Sequence, residues 1–554
     1  MCPLLARLAL ALVLVEGAPV SESSHRASAR PARAAEAAPR DVAAAPDRPA
    51  ADPAGLPPSG AREECGVVGV FAPGEDVATL IYFALYALQH RGQESAGIAA
   101  SDGERIMVTK EMGLVNQAFD HARLAGLAGH LGVGHVRYST TGASVWDNAQ
   151  PAFKVRRDGR GIALGHNGNL VNTGQLARGL GDAGAKCTTD SEVLAELLAS
   201  GADVGDGTDA GDGTGAGDQA GARDHADAGD RADRLDETIA ASCAQVAGAY
   251  ALVAMDERCV YAVRDPHGVR PLVMGRLPGG GWVIASESCA LDILGAHHVG
   301  DVEPGELVAI DANGLRRRRL AEPTPHFCSF EYVYLARPDH RTDETTVAAS
   351  RRRMGQLLAE AAPADADLVI PVPDSGVSAA SGYSQVSGIP YAEGLVKNRY
   401  VGRTFIEPSQ SLRQLGIRLK LNPLRDVLEG QRLVVVDDSI VRGNTSRQLV
   451  RMLRESGARE VHLRVSAPPI RHPCYYGIDM ATRSELIASG LDEDGIRDFV
   501  GADSLAYLPL EALVEASGRP KDSLCRACFD GQYPIPVPGD ATASPEPRLF
   551  EGER

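Results

Sequence analysis

The chain has 554 residues, 44% hydrophobic and 23% charged, enough to bury more than one core, and its length predicts at least two domains. A formal net charge of -17 excludes a general nucleic-acid binder, because phosphate contacts need a basic face, but leaves anionic small ligands open. Ten cysteines in a chain this long do not read as a disulfide scaffold, so each is taken in its own context.

Residues 1–64 read as a disordered leader or propeptide. An apolar run, Leu8 to Val15, precedes an Ala/Pro/Arg/Ser-rich tract from Ala18 to Gly60. The run resembles a signal h-region, but only Arg7 stands before it as a basic residue, and it is too short to span a bilayer. From Cys65 the chain becomes strand-like to Phe71, then helical over Val77 to Gln89, with further β-rich segments to about Ile310. This predicts a layered domain over 65–315, interrupted at 201–234 by a Gly/Asp/Ala-rich acidic insertion without fixed structure. A second domain, 316–540, alternates apolar strands (Asp367 to Val372, Arg432 to Val436, Val461 to Ser466) with helical stretches, which favours a parallel sheet. A tail, 541–554, closes the chain.

In the first domain Cys65 stands immediately before a strand. If the leader is cut there, its own α-amino group, with a reference pKa of about 7.7–8.0, can serve the thiol as general base. The rival reading is a structural cysteine at a strand start. His166-Asn167-Gly168 lies between apolar segments, where Asn-Gly signals a hairpin turn, but the pair can also offer a side-chain amide and a backbone N–H to an oxyanion. Arg137 can clamp a carboxylate bidentately. Asp190 can receive an ammonium group, or simply start a helix, since Thr189 and Glu192 have capping-box spacing. Taken with the segments Leu88 to Gly97 and Thr188 to Glu192, these residues resemble a class II glutamine amidotransferase domain of the N-terminal nucleophile type. The resemblance implies a four-layer αββα fold, with Cys65 attacking the glutamine amide. It makes Asn167 and Gly168 the oxyanion hole, and has Arg137 and Asp190 hold the amino-acid end.

In the second domain an apolar strand runs into Asp437 and Asp438, then into a loop through Ser439, Arg442, Gly443, Asn444 and Thr445 to a helix at Arg447 to Glu455. Ligands of open α/β sheets bind at this end of strands. Backbone N–H groups of 442–445 and the helix N-terminus can hold a phosphate, and the acids can accept ribose hydroxyls beside a magnesium ion. An Asp-Asp pair alone fits solvated acids equally well. The stretch Val434 to Ser446 resembles the fingerprint of type I phosphoribosyltransferases. A second loop after a strand, with Asp374, Ser375 and Gly376, implies a pyrophosphate site, and the stretch Lys397 to Phe405 a lid over anions.

The two domains in this order resemble the amidophosphoribosyltransferase family, over roughly Cys65 to Pro538. The resemblance implies that ammonia released at Cys65 passes through an internal channel and displaces pyrophosphate from phosphoribosyl pyrophosphate. The product is 5-phosphoribosylamine, in the first committed step of purine biosynthesis. Lys397, Tyr400 and Arg403 become the lid, and Ser375, Asp437 and Asp438 the magnesium site. Cys328, Cys474, Cys525 and Cys528 could form a four-thiolate metal site, for which spacing alone does not separate zinc from iron–sulfur. Their contexts resemble the family's branch with a structural 4Fe-4S cluster, which implies a reducing, cytoplasmic setting. Cys187, Cys243, Cys259 and Cys289 read as core packing. The family's inhibition by purine nucleotides and its homo-oligomers, commonly tetramers, are expected too; no nucleic-acid or membrane partner is. Two rivals stand beside this reading: another class II amidotransferase, and a non-enzymatic regulator that binds phosphoribosyl pyrophosphate.

Overall fold

The structure, a computed structural model, describes residues 65–138, 144–201, 235–342, 345–398, 420–480 and 482–537. The leader, nearly all of the insertion, the lid residues Tyr400 and Arg403, and the tail lie outside them. The first domain holds thirteen strands: β1 (Gly66–Phe71), β2 (Ser95–Ser101), β3 (Ile106–Met112), β4 (Leu131–Arg137), β5 (Ala152–Val155), β6 (Gly161–Leu170), β7 (Gly248–Met255), β8 (Val260–Arg264), β9 (Val273–Arg276), β10 (Trp282–Ala285), β11 (His297–Asp301), β12 (Glu306–Asp311) and β13 (Gly314–Arg319). Seven form one antiparallel sheet, β11-β9-β10-β1-β4-β2-β3, and six another, β13-β12-β8-β7-β6-β5.

Alternation along β1 shows how the layers stack. Val68 and Val70 join a core shared with helices α1 (Val77–Ala87) and α4 (Ser288–Ile293), whereas Val67 and Phe71 join the core between the two sheets. Both faces are thus covered, so the strand is a continuous run of apolar residues and glycine. The six-stranded sheet packs its outer face on α2 (Asp190–Ser200) and α3 (Leu235–Cys243). The result is the four-layer αββα arrangement. Cys187, Cys259 and Cys289 are buried in these cores, and Cys243 packs against one of them. The boundary expected at 315/316 falls inside β13, whose register with β12 runs from Gly314 to Arg319.

The second domain is built on β14 (Phe327–Cys328), α5 (Val347–Ala361), β15 (Leu368–Pro371), α6 (Val377–Ser387), β16 (Leu395–Lys397), β17 (Leu421–Pro423), β18 (Arg432–Asp437), α7 (Asn444–Glu455), β19 (Glu460–Val465), α8 (Glu493–Val500), β20 (Ser504–Tyr507), α9 (Leu510–Ser517) and β21 (Leu524–Cys525). Its sheet, β15-β18-β19-β20, is wholly parallel. Val434 and Val436 of β18 face one core, Leu433 and Val435 the other. This double coverage explains the run of valines that ends at Asp437. Among the described residues no helix is long and apolar enough to cross a membrane.

Candidate functional site

The first cluster grows from a mismatch in strand length. β5 pairs only with Gly161–Leu164, whereas β7 follows β6 to Leu170. Beyond Leu164 one edge of β6 therefore has no strand beside it, and alternate N–H groups point to that edge. Side chains close two of them: His166 N donates to Gln150 Oε1 (2.8 Å) and Leu170 N to Asp190 Oδ2 (3.2 Å). The same alternation turns the Gly168 N–H to this edge, between the two that are capped. Asn167-Gly168 is thus mid-strand, not the hairpin turn its composition suggests. Gly168 has φ +145°, and a Cβ there would run into the carbonyl oxygen of Ala249, so the position requires glycine. Asn167 is fully buried, and neither atom of its amide has a hydrogen-bond partner among the described residues. A buried amide without a partner costs about 1–3 kcal/mol, and such a group calls for a ligand or a water.

Cys65 leads into β1 with Sγ 3.4 Å from the carbonyl oxygen of Tyr138. Burial pushes its thiol up to about 11, against the opposing pull of the Tyr138 bond and the Arg137 charge, while Asp190 and Glu94 add to the rise. The side chains that act on the thiol thus include both predicted glutamine-end residues. Arg137, buried at the end of β4, has Nη1 3.6 Å from Glu94 Oε2. Asp190 opens α2, with Thr189 Oγ1 capping Glu192 N at 3.1 Å. The reciprocal half of the expected box is shifted by one residue: Glu192 Oε2 accepts from Thr188 N at 2.7 Å. Sequence reasoning missed Gln150, which also donates from Nε2 to Ser191 Oγ (3.0 Å); a lone glutamine in a loop carries no signal.

The second cluster lies at the C-terminal ends of β15 and β18. Asp437 and Asp438 are buried. Asp438 accepts from the hydroxyls of Ser375 and Ser439, and Asp438 N donates to Asp437 Oδ1 (2.9 Å). Burial raises both carboxyls; the neighbouring Asp438 charge raises Asp437 further, whereas the two serines and the Arg351 guanidinium moderate Asp438. A buried acid pair of this kind fits a divalent cation, whose charge would return both carboxyls to their usual range. Among the described residues no three His, Cys, Asp or Glu side chains surround one ion.

The loops around the acids are tightly placed. At Gly376 a Cβ would lie 2.5 Å from the Val436 oxygen, so glycine is needed where this loop packs on β18. Asp374, joined to Pro373 by a cis peptide, receives Lys397 Nζ at 2.6 Å, which ties the first lid residue to the loop. Gly443, at φ +75°, precedes α7 at Asn444 and leaves 2.7 Å between a Cβ and Ile487 Cδ1. The Arg442 guanidinium is turned to Glu485 Oε2 (2.7 Å), so its backbone N–H, with those of Asn444 and Thr445, is what the loop can offer an anion.

A third cluster joins β14 to β21, which pair in parallel with Cys328 opposite Cys525. Cys328, Cys474, Cys525 and Cys528 line one pocket with Val269 and Tyr476. Burial pushes Cys525 up to about 12, and burial with the three other thiols holds Cys528 well above the ordinary range. Such crowded thiols ionise only against cationic charge, so the donor set fits a thiolate-held metal centre. Among the described residues no three ligand-type side chains surround a single ion.

The family model for the phosphoribosyl transferase domain matches residues 343–483, and that for a glutamine amidotransferase domain matches 220–292. The chain is 54% identical to the amidophosphoribosyltransferase of Mycobacterium tuberculosis (strain ATCC 25618 / H37Rv) over 86% of its own length and 87% of the relative. It is 49% identical to that of Synechococcus elongatus (88% and 94%) and 43% identical to that of Bacillus subtilis (86% and 95%). Among solved structures, the allosteric regulatory enzyme of purine biosynthesis aligns with TM-score 0.77 at 42% identity, over 88% of this chain and 99% of its own. The glutamine phosphoribosylpyrophosphate amidotransferase of B. subtilis, complexed with ADP and GMP, aligns with TM-score 0.76 at 42% identity, over 88% and 100%.

Proposed function

The chain belongs to the amidophosphoribosyltransferase family, and on that premise we propose how its residues divide the work. It is a phosphoribosyltransferase of purine biosynthesis with a glutamine amidotransferase domain. In our reading the chain is cut between Glu64 and Cys65, and the freed α-amino group takes the thiol proton that burial otherwise retains. Cys65 Sγ attacks the glutamine amide carbon. The Asn167 amide and Gly168 N–H receive the oxyanion at the open edge of β6, while Arg137 and Asp190 hold the α-carboxylate and α-ammonium. The α-amino group passes that proton to the amide nitrogen, which leaves as ammonia, and water releases glutamate from the thioester.

In the second domain the backbone of 442–445 binds the 5-phosphate, Asp374, Ser375 and Gly376 the pyrophosphate, and Asp437, Asp438 and Ser439 the ribose side. Ser375, Asp437 and Asp438 would hold magnesium, which would supply positive charge against the pyrophosphate oxygens. Lys397, with Tyr400 and Arg403, closes over the substrate and completes an internal path, along which ammonia reaches C1. There its lone pair forms the C–N bond, the C–O bond to pyrophosphate breaks, and the amine loses a proton. Cys328, Cys474, Cys525 and Cys528 would hold a structural 4Fe-4S cluster, and the reducing conditions such a cluster needs argue for a cytoplasmic setting. Purine nucleotides as inhibitors and a homotetramer belong to the same reading. The observation that carries it is the open stretch of β6, with an unpaired buried amide beside a glycine N–H.

The test is Cys65→Ala. Glutamine-dependent formation of phosphoribosylamine should vanish while ammonia-dependent formation continues. Intact mass and N-terminal sequencing of the parent enzyme should place the cut between Glu64 and Cys65. Protein beginning at Met1 yet fully active with glutamine would sink the mechanism, and a lack of pyrophosphate release with either glutamine or ammonia would favour a binding regulator.

A further inference from the structure

A turn of the second domain, Cys474–Gly477, touches the oxyanion strand of the first. Asn169 Nδ2 donates to the Tyr475 oxygen (3.0 Å), and at Gly477 a Cβ would lie 3.1–3.2 Å from the backbone of Gly168. Arg270, fully buried in the first domain, grips the same turn: Nε and Nη2 both donate to the Tyr476 oxygen, at 3.1 and 2.7 Å. Its Nη1 is 3.6 Å from Glu331 Oε1, and Glu331 takes Arg91 Nη2 at 2.9 Å. Arg91 Nε in turn donates to the carbonyl oxygen of Cys65 (3.1 Å). A continuous chain of buried and part-buried contacts thus links the residue that would attack to the strand that would receive the charge, through the other domain. The stretch needs such support, because among the described residues β6 has no strand on one edge beyond Leu164 and the Asn167 amide forms no bond that would fix it.

We propose that Arg270 is a positioning residue for the glutaminase step: by holding the 474–477 turn against β6, it sets the place of the oxyanion donors relative to Cys65. Two donors on one carbonyl fix the turn in direction as well as distance, which a lysine at this site would not do. Arg270 touches neither substrate in this scheme. The inference rests on the assignment of Cys65, Asn167 and Gly168 made above. Cys65→Ala with full glutamine activity would overturn that assignment, whatever Arg270 does.

The test compares Arg270→Met and Arg270→Lys in the full-length enzyme, with glutamine and with ammonia as nitrogen source. A misplacement of about 1 Å costs on the order of 10²-fold. Arg270→Met should therefore lose about that factor in glutamine kcat and in the rate of Cys65 capture by an electrophilic glutamine analogue. Glutamine KM and ammonia-dependent kcat should stay within about twofold, since Arg137, Asp190 and the second site are untouched, and Arg270→Lys should fall between. Should Arg270→Met fail to fold by circular dichroism, Gly477→Ala presses on Gly168 from the other side and should give the same split. Equal losses with both nitrogen sources, or no loss with glutamine, would overturn the proposal.

Discussion

Asn167 brings a primary amide into a site where it has no partner among the described residues, at a cost in stability that an apolar side chain of similar shape would not carry. Asn167→Leu should therefore fold at least as stably as the parent, while glutamine kcat falls by about 10²–10³-fold, the usual loss for one oxyanion donor. A calorimetric scan beside a glutaminase assay checks both halves, and a fall in stability would show that the amide has a structural partner after all. Asp437 and Asp438 carry a comparable cost in charge. Each binds its proton more tightly folded than unfolded, so without a cation their contribution favours the folded state at low pH and is lost as pH rises above the usual carboxylate range of about 4. Added magnesium should raise the melting temperature at pH 7–8, whereas Asp438→Asn should melt higher than the parent in EDTA and no longer respond to the ion. A magnesium response that survives in this variant would remove Asp438 from the site. Most of these residues were legible in the sequence because each motif is contiguous: an acid pair after a valine run, a cysteine before a strand. Gln150, which caps the open edge of β6, and Arg351, whose charge acts on Asp438, come from separate segments and were not.

Helices α5 and α6 meet so closely that neither tolerates a side chain at the crossing. A Cβ on Gly355 would run into the Ala379 carbonyl oxygen, and one on Gly382 into the Arg352 oxygen. Backbone against backbone leaves nothing to rotate away, so Gly355→Ala should cost at least the 1–3 kcal/mol typical of overpacking, roughly, readable as a shift in urea midpoint at constant slope. An unchanged midpoint would mean that the pair can separate without loss. At this scale the sequence predicted the elements that alternate cleanly. The strands at Leu368–Pro371, Arg432–Asp437 and Glu460–Val465 were expected within a residue or two, because parallel strands covered on both faces are plain apolar runs. The helix after the acid pair begins at Asn444, three residues before the expected Arg447, because the left-handed Gly443 lets the chain turn into it at once. Asn167-Gly168 misled for the same reason in reverse: a positive φ favours turns locally, yet here it serves an extended strand whose neighbour ends early. β20, four residues and only partly covered, has too short a pattern to read.

The junction of the two domains depends on charges far apart in sequence, and no local pattern reveals it. Glu287, fully buried, accepts from His90 Nε2 (2.7 Å), Arg91 Nη1 (2.6 Å) and Arg337 N (2.9 Å). Arg91 reaches on to Glu331, 240 residues away along the chain. Burial alone would raise the Glu287 carboxyl, but His90 and Arg91 outweigh it and hold the group well below its usual range. A carboxylate that is more acidic folded than unfolded contributes stability that is present above its unfolded pKa and is lost as pH falls through the lower, folded value. Glu287→Gln would leave the Arg91 guanidinium buried with one partner fewer, and breaking a buried pair from one side costs about 3–5 kcal/mol. At neutral pH the variant should therefore unfold at lower urea, by about that amount, while below about pH 4, where the parent's unfolded state takes up a proton that its folded state still resists, the two stabilities should draw together. Arg91 also holds the Cys65 carbonyl, so the variant should lose glutamine-dependent activity before ammonia-dependent activity as urea is raised. A deficit that stays constant down to pH 2 would show that the loss comes from packing around Glu287 and not from its charge.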